Sequence, residues 1–119
     1  GRSGFAMRGL AMRLSHLGLA AHFVGDVTTP PIGPRDLLLL GSGSGGTASL
    51  INHAQTAARS GAQVSLLTVD AGSPLGQLSR ETDGVIVTLP APTPKLEGEG
   101  ASCGAVPSAQ PMGTLFEQT

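Results

Sequence analysis

Tryptophan and tyrosine are absent from this chain of 119 residues, charged residues make up 13% of it, and the formal net charge is −1. Nucleic-acid tracking needs clustered Lys and Arg for phosphates and aromatic faces for bases. Neither is present, so no nucleic acid is expected as a partner. Cys103 is the single cysteine. It excludes an internal disulfide and fits a reducing cytoplasm, the expected location. His16, His22 and His53 lack metal-ligand spacing, so no metal is expected. The longest apolar runs are strand-sized, far short of the ~18 residues of a membrane helix, and no basic start with an apolar middle opens the chain. A membrane is not expected either.

Glycine, by contrast, is plentiful, and its placement is informative. Leu37–Leu40 runs directly into Gly41-Ser42-Gly43-Ser44-Gly45-Gly46-Thr47, and a helix-like stretch follows. A buried strand, a glycine turn full of hydroxyls and a helix N-terminus together make an anion site. Glycines allow a tight turn and close approach of backbone to ligand. The free N–H groups of the first helical turn, at the positive end of the helix dipole, favour phosphate.

The remaining sequence places this turn in an alternating pattern. Ser3 is a candidate N-cap for a helix to about Leu17, with Met7, Leu10, Leu14 and Leu17 on one face and Gly18 as its stop. Residues 19–24 read as a strand, and Asp26–Pro31 as a polar loop. A helix is expected from Thr47 to Arg59 with Leu50, Ile51, Ala54 and Ala58 inward, closed by Ser60-Gly61. A strand at Val64–Thr68, a short helix at Pro74–Ser79 and a last strand at Val85–Leu89 follow. Prolines and glycines after Pro90 predict an irregular loop over 96–109, and Pro111 is placed to start a terminal helix. Apolar strands alternating with helices imply one α/β domain over 1–119, with a parallel sheet covered on both faces. Ligands bind such sheets beyond the carboxyl ends of the strands, where the Gly41–Thr47 turn lies.

Which phosphate the turn takes is open at the level of pattern. Gly41, Gly43 and Gly46 satisfy the G-x-G-x-x-G dinucleotide fingerprint, and Asp70 could serve as its ribose acid. A nucleoside-triphosphate loop fits worse, because no Lys precedes Thr47. Hydroxyls at Ser42, Ser44 and Thr47 suit a terminal monophosphate gripped from several sides.

The turn resembles the S-x-S-G-x-T phosphate turn of the sugar isomerase (SIS) domains. Further segments extend the resemblance in order: Gly1-Arg2-Ser3-Gly4, Ala11–Gly18, Thr28-Thr29-Pro30, Pro90–Lys95 and Gln110–Gln118. Together they resemble the 6-phospho-3-hexuloisomerase branch, over nearly the whole chain except about residues 96–109. The resemblance implies a flavodoxin-like three-layer α/β/α sandwich with a parallel sheet, here incomplete. It implies a cofactor-free isomerase interconverting 3-hexulose 6-phosphate and fructose 6-phosphate through an enediol, in the ribulose monophosphate route. Its substrate partner is a sugar monophosphate, and a homo-oligomer, dimer or tetramer, is implied when the chain is complete.

Residue by residue, the resemblance places the catalytic base at Glu117 and a proton-handling role at His16. Ser3 would hold sugar hydroxyls, with Arg2 beside the substrate, and Ser42, Gly43, Ser44 and Thr47 would hold the phosphate. Gly46 stands where the family usually has Glu, and Asp26 replaces a more usual Glu. The family carries a helix and strand before the position of Gly1 and a long helix after that of Thr119. These 119 residues alone are therefore expected to fold poorly. The alternatives are a sugar-phosphate-binding SIS module without catalysis and an inactive fragment.

Overall fold

The structure is a computed structural model that describes the backbone of residues 2–91, with side chains from Ser3 onward. The expectations for the Arg2 side chain, the 96–109 loop, the Pro111 helix and Glu117 lie outside the described residues. The described elements are α1 (Arg2–His16), β1 (Leu37–Ser42), α2 (Ala48–Arg59), β2 (Gln63–Thr68), α3 (Pro74–Glu81) and β3 (Ile86–Thr88).

The strands form one parallel sheet in the order β1-β2-β3, with Leu38 opposite Val64 and Ser42 opposite Thr68. Period-two alternation splits β1 between two faces. Leu38 and Leu40 are buried on one face in a cluster with Ala54 and Ala57 of α2, Val64 and Leu66 of β2, and Leu75 of α3. Gly41 has the opposite parity, and a Cβ there would meet the Met7 side chain of α1. Helices thus cover both faces: α2 and α3 on one, α1 on the other. Right-handed crossovers put α2 and α3 on the same side. This is the three-layer parallel α/β arrangement the alternating pattern predicted.

The core depends on few side chains. Leu66 and Leu75 are fully buried, and each contributes about 1.5–3 kcal/mol by leaving water. The small Ala54 and Ala57 let α2 lie close on the leucines. Ala57, rather than the expected Ala58, is the fully buried member of that pair. Gly61 ends α2 with φ +81°: its N–H donates to the Ala58 carbonyl and that of Ala62 to the Ala57 carbonyl. That pattern satisfies carbonyls the helix leaves open.

The structure corrects the sequence reading in several places. Residues 19–24 form no strand among the described residues. Local turns take some of their backbone groups. The Ala21 N–H donates to the Leu19 carbonyl and the Asp26 N–H to the Phe23 carbonyl, which also accepts the Thr29 hydroxyl at 2.6 Å. A strand exists only by pairing, and none of the described strands pairs with this segment. Helix α1 begins at Arg2, so Ser3 lies inside its first turn rather than capping it. β1 extends through Gly41 and Ser42, and β3 is shorter than Val85–Leu89.

Candidate functional site

The Gly41–Thr47 segment connects the carboxyl end of β1 to the N-terminus of α2. Ser42 is the last strand residue and is buried, and its Oγ accepts the Gly45 N–H at 3.1 Å. Ser44 Oγ accepts the Gly46 N–H at 3.4 Å and is half-buried. The turn's carbonyls are tied back to the next strand and helix. The Gly43 carbonyl accepts the Val69 N–H at 3.1 Å and the Thr68 hydroxyl at 3.2 Å, and the Gly45 carbonyl accepts the Leu75 N–H at 3.1 Å.

With carbonyls held inward, the donors remain. Thr47 is the N-cap of α2 in extended conformation, is exposed, and makes no capping bond with its hydroxyl. Among the described residues no acceptor takes the N–H groups of Ser44, Thr47, Ala48, Ser49 or Leu50. An N-cap hydroxyl normally satisfies one such donor. Here a hydroxyl and several N–H groups are left together at the positive end of a helix of 12 residues. The arrangement can take a dianion without a metal or a lysine.

The structure brings Ser42, Gly43, Ser44 and Thr47 into one turn, with unequal roles. Thr47 is exposed with its hydroxyl unengaged, the half-buried Ser44 hydroxyl accepts the Gly46 N–H within the turn, and Ser42 is under the turn and shapes it. Ser3 is half-buried in the first turn of α1. It shares a face with Met7, one turn further along, which packs on Gly41 just before the glycine turn. The N-terminal half of α1 therefore covers the carboxyl end of β1. His16 is at the other end of that helix, about 20 Å from Ser3 at 1.5 Å per residue. It is exposed and is not brought to the turn. Asp70 accepts the Gly72 N–H on its carboxylate at 2.9 Å.

A separate groove of about 260 Å³ runs between α1 and residues 21–29, lined by Arg8, Ser15, His22, Phe23, Asp26 and Thr29 among others. Arg8 pairs with Asp26 at 3.0 Å and stacks 4.0 Å from the Phe23 ring centre. None of the groove's lining residues belongs to the glycine turn. The turn's brace of Thr68, Ser73 and Leu75 escaped sequence reading. The Ser73-Pro74 start of α3 was a visible signal, since Ser at an N-cap with Pro at the next position opens helices.

No family model matches the chain. It is 43% identical over 119 residues to a Bacillus subtilis protein named 3-hexulose-6-phosphate isomerase, covering all of this chain and 60% of that protein. It is 42% identical over 118 residues to a Mycobacterium gastri protein of the same name, covering 54% of it. A crystal structure of a hypothetical protein from Methanococcus jannaschii, described as inferring a molecular function of 3-hexulose-6-phosphate isomerase, superimposes with a TM-score of 0.75. It is 33% identical, and the match covers 99% of this chain and 56% of that one. The chain thus spans a little over half the length of these relatives.

Proposed function

We propose that this chain, homologous along its whole length to proteins named 3-hexulose-6-phosphate isomerase, is the phosphate-holding part of a sugar-phosphate isomerase. Its substrates are 3-hexulose 6-phosphate and fructose 6-phosphate. One observation carries the reading beyond kinship: the outward donors of Ser44, Thr47 and the first turn of α2, gathered at the carboxyl edge of the sheet. Hydroxyls at Ser42, Ser44 and Thr47 beside the backbone N–H groups suit a terminal monophosphate gripped from several sides better than a pyrophosphate passing over bare glycine.

The reaction moves a carbonyl by one carbon. A base removes the proton from the carbon beside the carbonyl, an enediol forms, and the proton returns to the neighbouring carbon. Holding the phosphate fixes one end of the sugar and leaves the reacting carbons at a set distance from the turn. Ser3 holds sugar hydroxyls in this reading, supported by its position on the α1 face that packs over β1, and Arg2 contacts the substrate. Glu117 supplies the carboxylate base, a role worth ~10²–10⁴ in rate. His16, remote from the turn of its own chain, handles protons at a site shared with a neighbouring copy. A dimer or tetramer is part of this reading, and the cytoplasm is its location.

The test is direct. Incubation of the chain extended to the length of its relatives with 3-hexulose 6-phosphate, followed by enzymatic detection of fructose 6-phosphate, should show turnover. Replacement Glu117→Gln should remove at least about 99% of it. Binding of fructose 6-phosphate with no turnover under any condition would reduce the protein to a sugar-phosphate-binding module.

A further inference from the structure

We infer that Thr68 is a positioning residue for the phosphate turn, its buried hydroxyl aiming the Ser44 N–H at the bound phosphate. The inference rests on the reading above that the turn holds a phosphate.

Thr68 is the last residue of β2, is fully buried, and lies opposite Ser42 in register. Its hydroxyl donates to the Gly43 carbonyl at 3.2 Å, and its oxygen accepts the Asp70 N–H at 3.2 Å. The Asp70 carbonyl lies at 3.4 Å from the same oxygen. A threonine hydroxyl has one hydrogen to give. The shorter contact to Gly43 is the better use of it. The Thr68 carbonyl accepts the Leu89 N–H at 2.8 Å, so the backbone that carries this hydroxyl is itself tied past the end of β3.

Covalent geometry carries the effect outward. The Gly43 carbonyl and the Ser44 N–H belong to one planar trans peptide, in which the two groups point in opposite directions. Holding the carbonyl down on β2 therefore turns the Ser44 N–H away from the sheet. Two glycines flank Ser44, and without a restraint this peptide could rotate freely. The Val69 N–H provides one restraint and the Thr68 hydroxyl a second from a different direction. Two donors converging on one oxygen from different directions hold the carbonyl more firmly than either alone.

The experiment is an amide NMR titration of the 119-residue chain with fructose 6-phosphate, repeated with inorganic phosphate. The wild type should shift the Ser44 amide on binding. Thr68→Val, which keeps the shape and removes the hydroxyl, should weaken affinity for both ligands roughly tenfold while retaining a dispersed spectrum. Thr68→Ser should bind within about twofold of wild type, because the hydroxyl is back. Wild-type affinity in a folded Thr68→Val protein overturns the inference alone. A wild type with a dispersed spectrum that binds neither ligand overturns the phosphate reading with it. If Thr68→Val does not fold, Thr68→Cys takes its place. Its weaker donor should bind less tightly than Thr68→Ser, and equal affinity overturns the inference.

Discussion

Gly45 lies directly against Ser73: a Cβ on Gly45 would overlap the Ser73 side chain, and Gly45 holds a φ of +61°. The glycine turn and the start of α3 are therefore packed as one piece. Any side chain at position 45 meets two penalties, a left-handed backbone worth about 1–2 kcal/mol and a steric overlap worth about 1–3 kcal/mol. Gly45→Ala should destabilise the chain by about 2–4 kcal/mol in urea melts. A change below about 1 kcal/mol would mean that the two segments separate at little cost.

The Thr47 hydroxyl is unengaged and the Ser44 hydroxyl keeps its hydrogen free to donate, so their removal should be felt by ligand more than by fold. Ser44→Ala and Thr47→Val should each weaken fructose 6-phosphate binding about 10-fold or more, the effect of losing one hydrogen bond to a charged group. Isothermal titration would read it. Thr47→Val should leave stability within about 0.5 kcal/mol, since the hydroxyl makes no capping bond to lose. Equal affinity in both variants would remove the hydroxyls from the site.

Ser79 gives a prediction of the opposite sign. It is fully buried in α3, and its Oγ has no hydrogen-bond partner among the described residues. A buried unpaired hydroxyl costs about 1–3 kcal/mol of desolvation, and Ala is the better helix former. Ser79→Ala should leave stability unchanged or raise it by up to about 1 kcal/mol. A larger residue should not be tolerated, because the Gly84 backbone lies against this side chain. Differential scanning calorimetry of Ser79→Ala and Ser79→Leu decides it.

Arg8 and Asp26 should couple weakly. Their side chains are 51% and 43% exposed, and solvent screens such pairs. A double-mutant cycle should give a coupling below about 1 kcal/mol that falls as salt is added. Arg8→Ala should cost more than Asp26→Ala, because it also removes the stack on Phe23, worth about 0.5–1 kcal/mol.

Much of this architecture was legible because its signals are local. Leu37–Leu40 is too apolar and too short for anything but a buried strand. The glycines that follow demand a turn, and Ser73-Pro74 announces a helix. What sequence could not show was pairing. Residues 19–24 have strand-like composition, yet a strand is a property of two segments, and no described strand pairs with this one. Ser42 looked like a turn hydroxyl equal to Ser44, but β1 runs two residues further than its leucines and carries Ser42 into the interior. Helical periodicity gave Met7, Leu10 and Leu14 on the half-buried face of α1, but Leu17, also expected there, lies past the helix end and is exposed. Thr68 was invisible as a site residue because its contact with Gly43 spans 25 positions of chain.

The register of β1 on β2 reaches beyond the sheet. Leu38 against Val64 and Ser42 against Thr68 are rungs of one ladder, and the last rung is the floor of the glycine turn. Sliding β1 by a single residue would expose Leu38 and Leu40 and at the same stroke withdraw the support under Gly43. The shape of the glycine turn and the resistance of the sheet to strand slippage thus rest on the same few atoms, so a change in one disturbs the other.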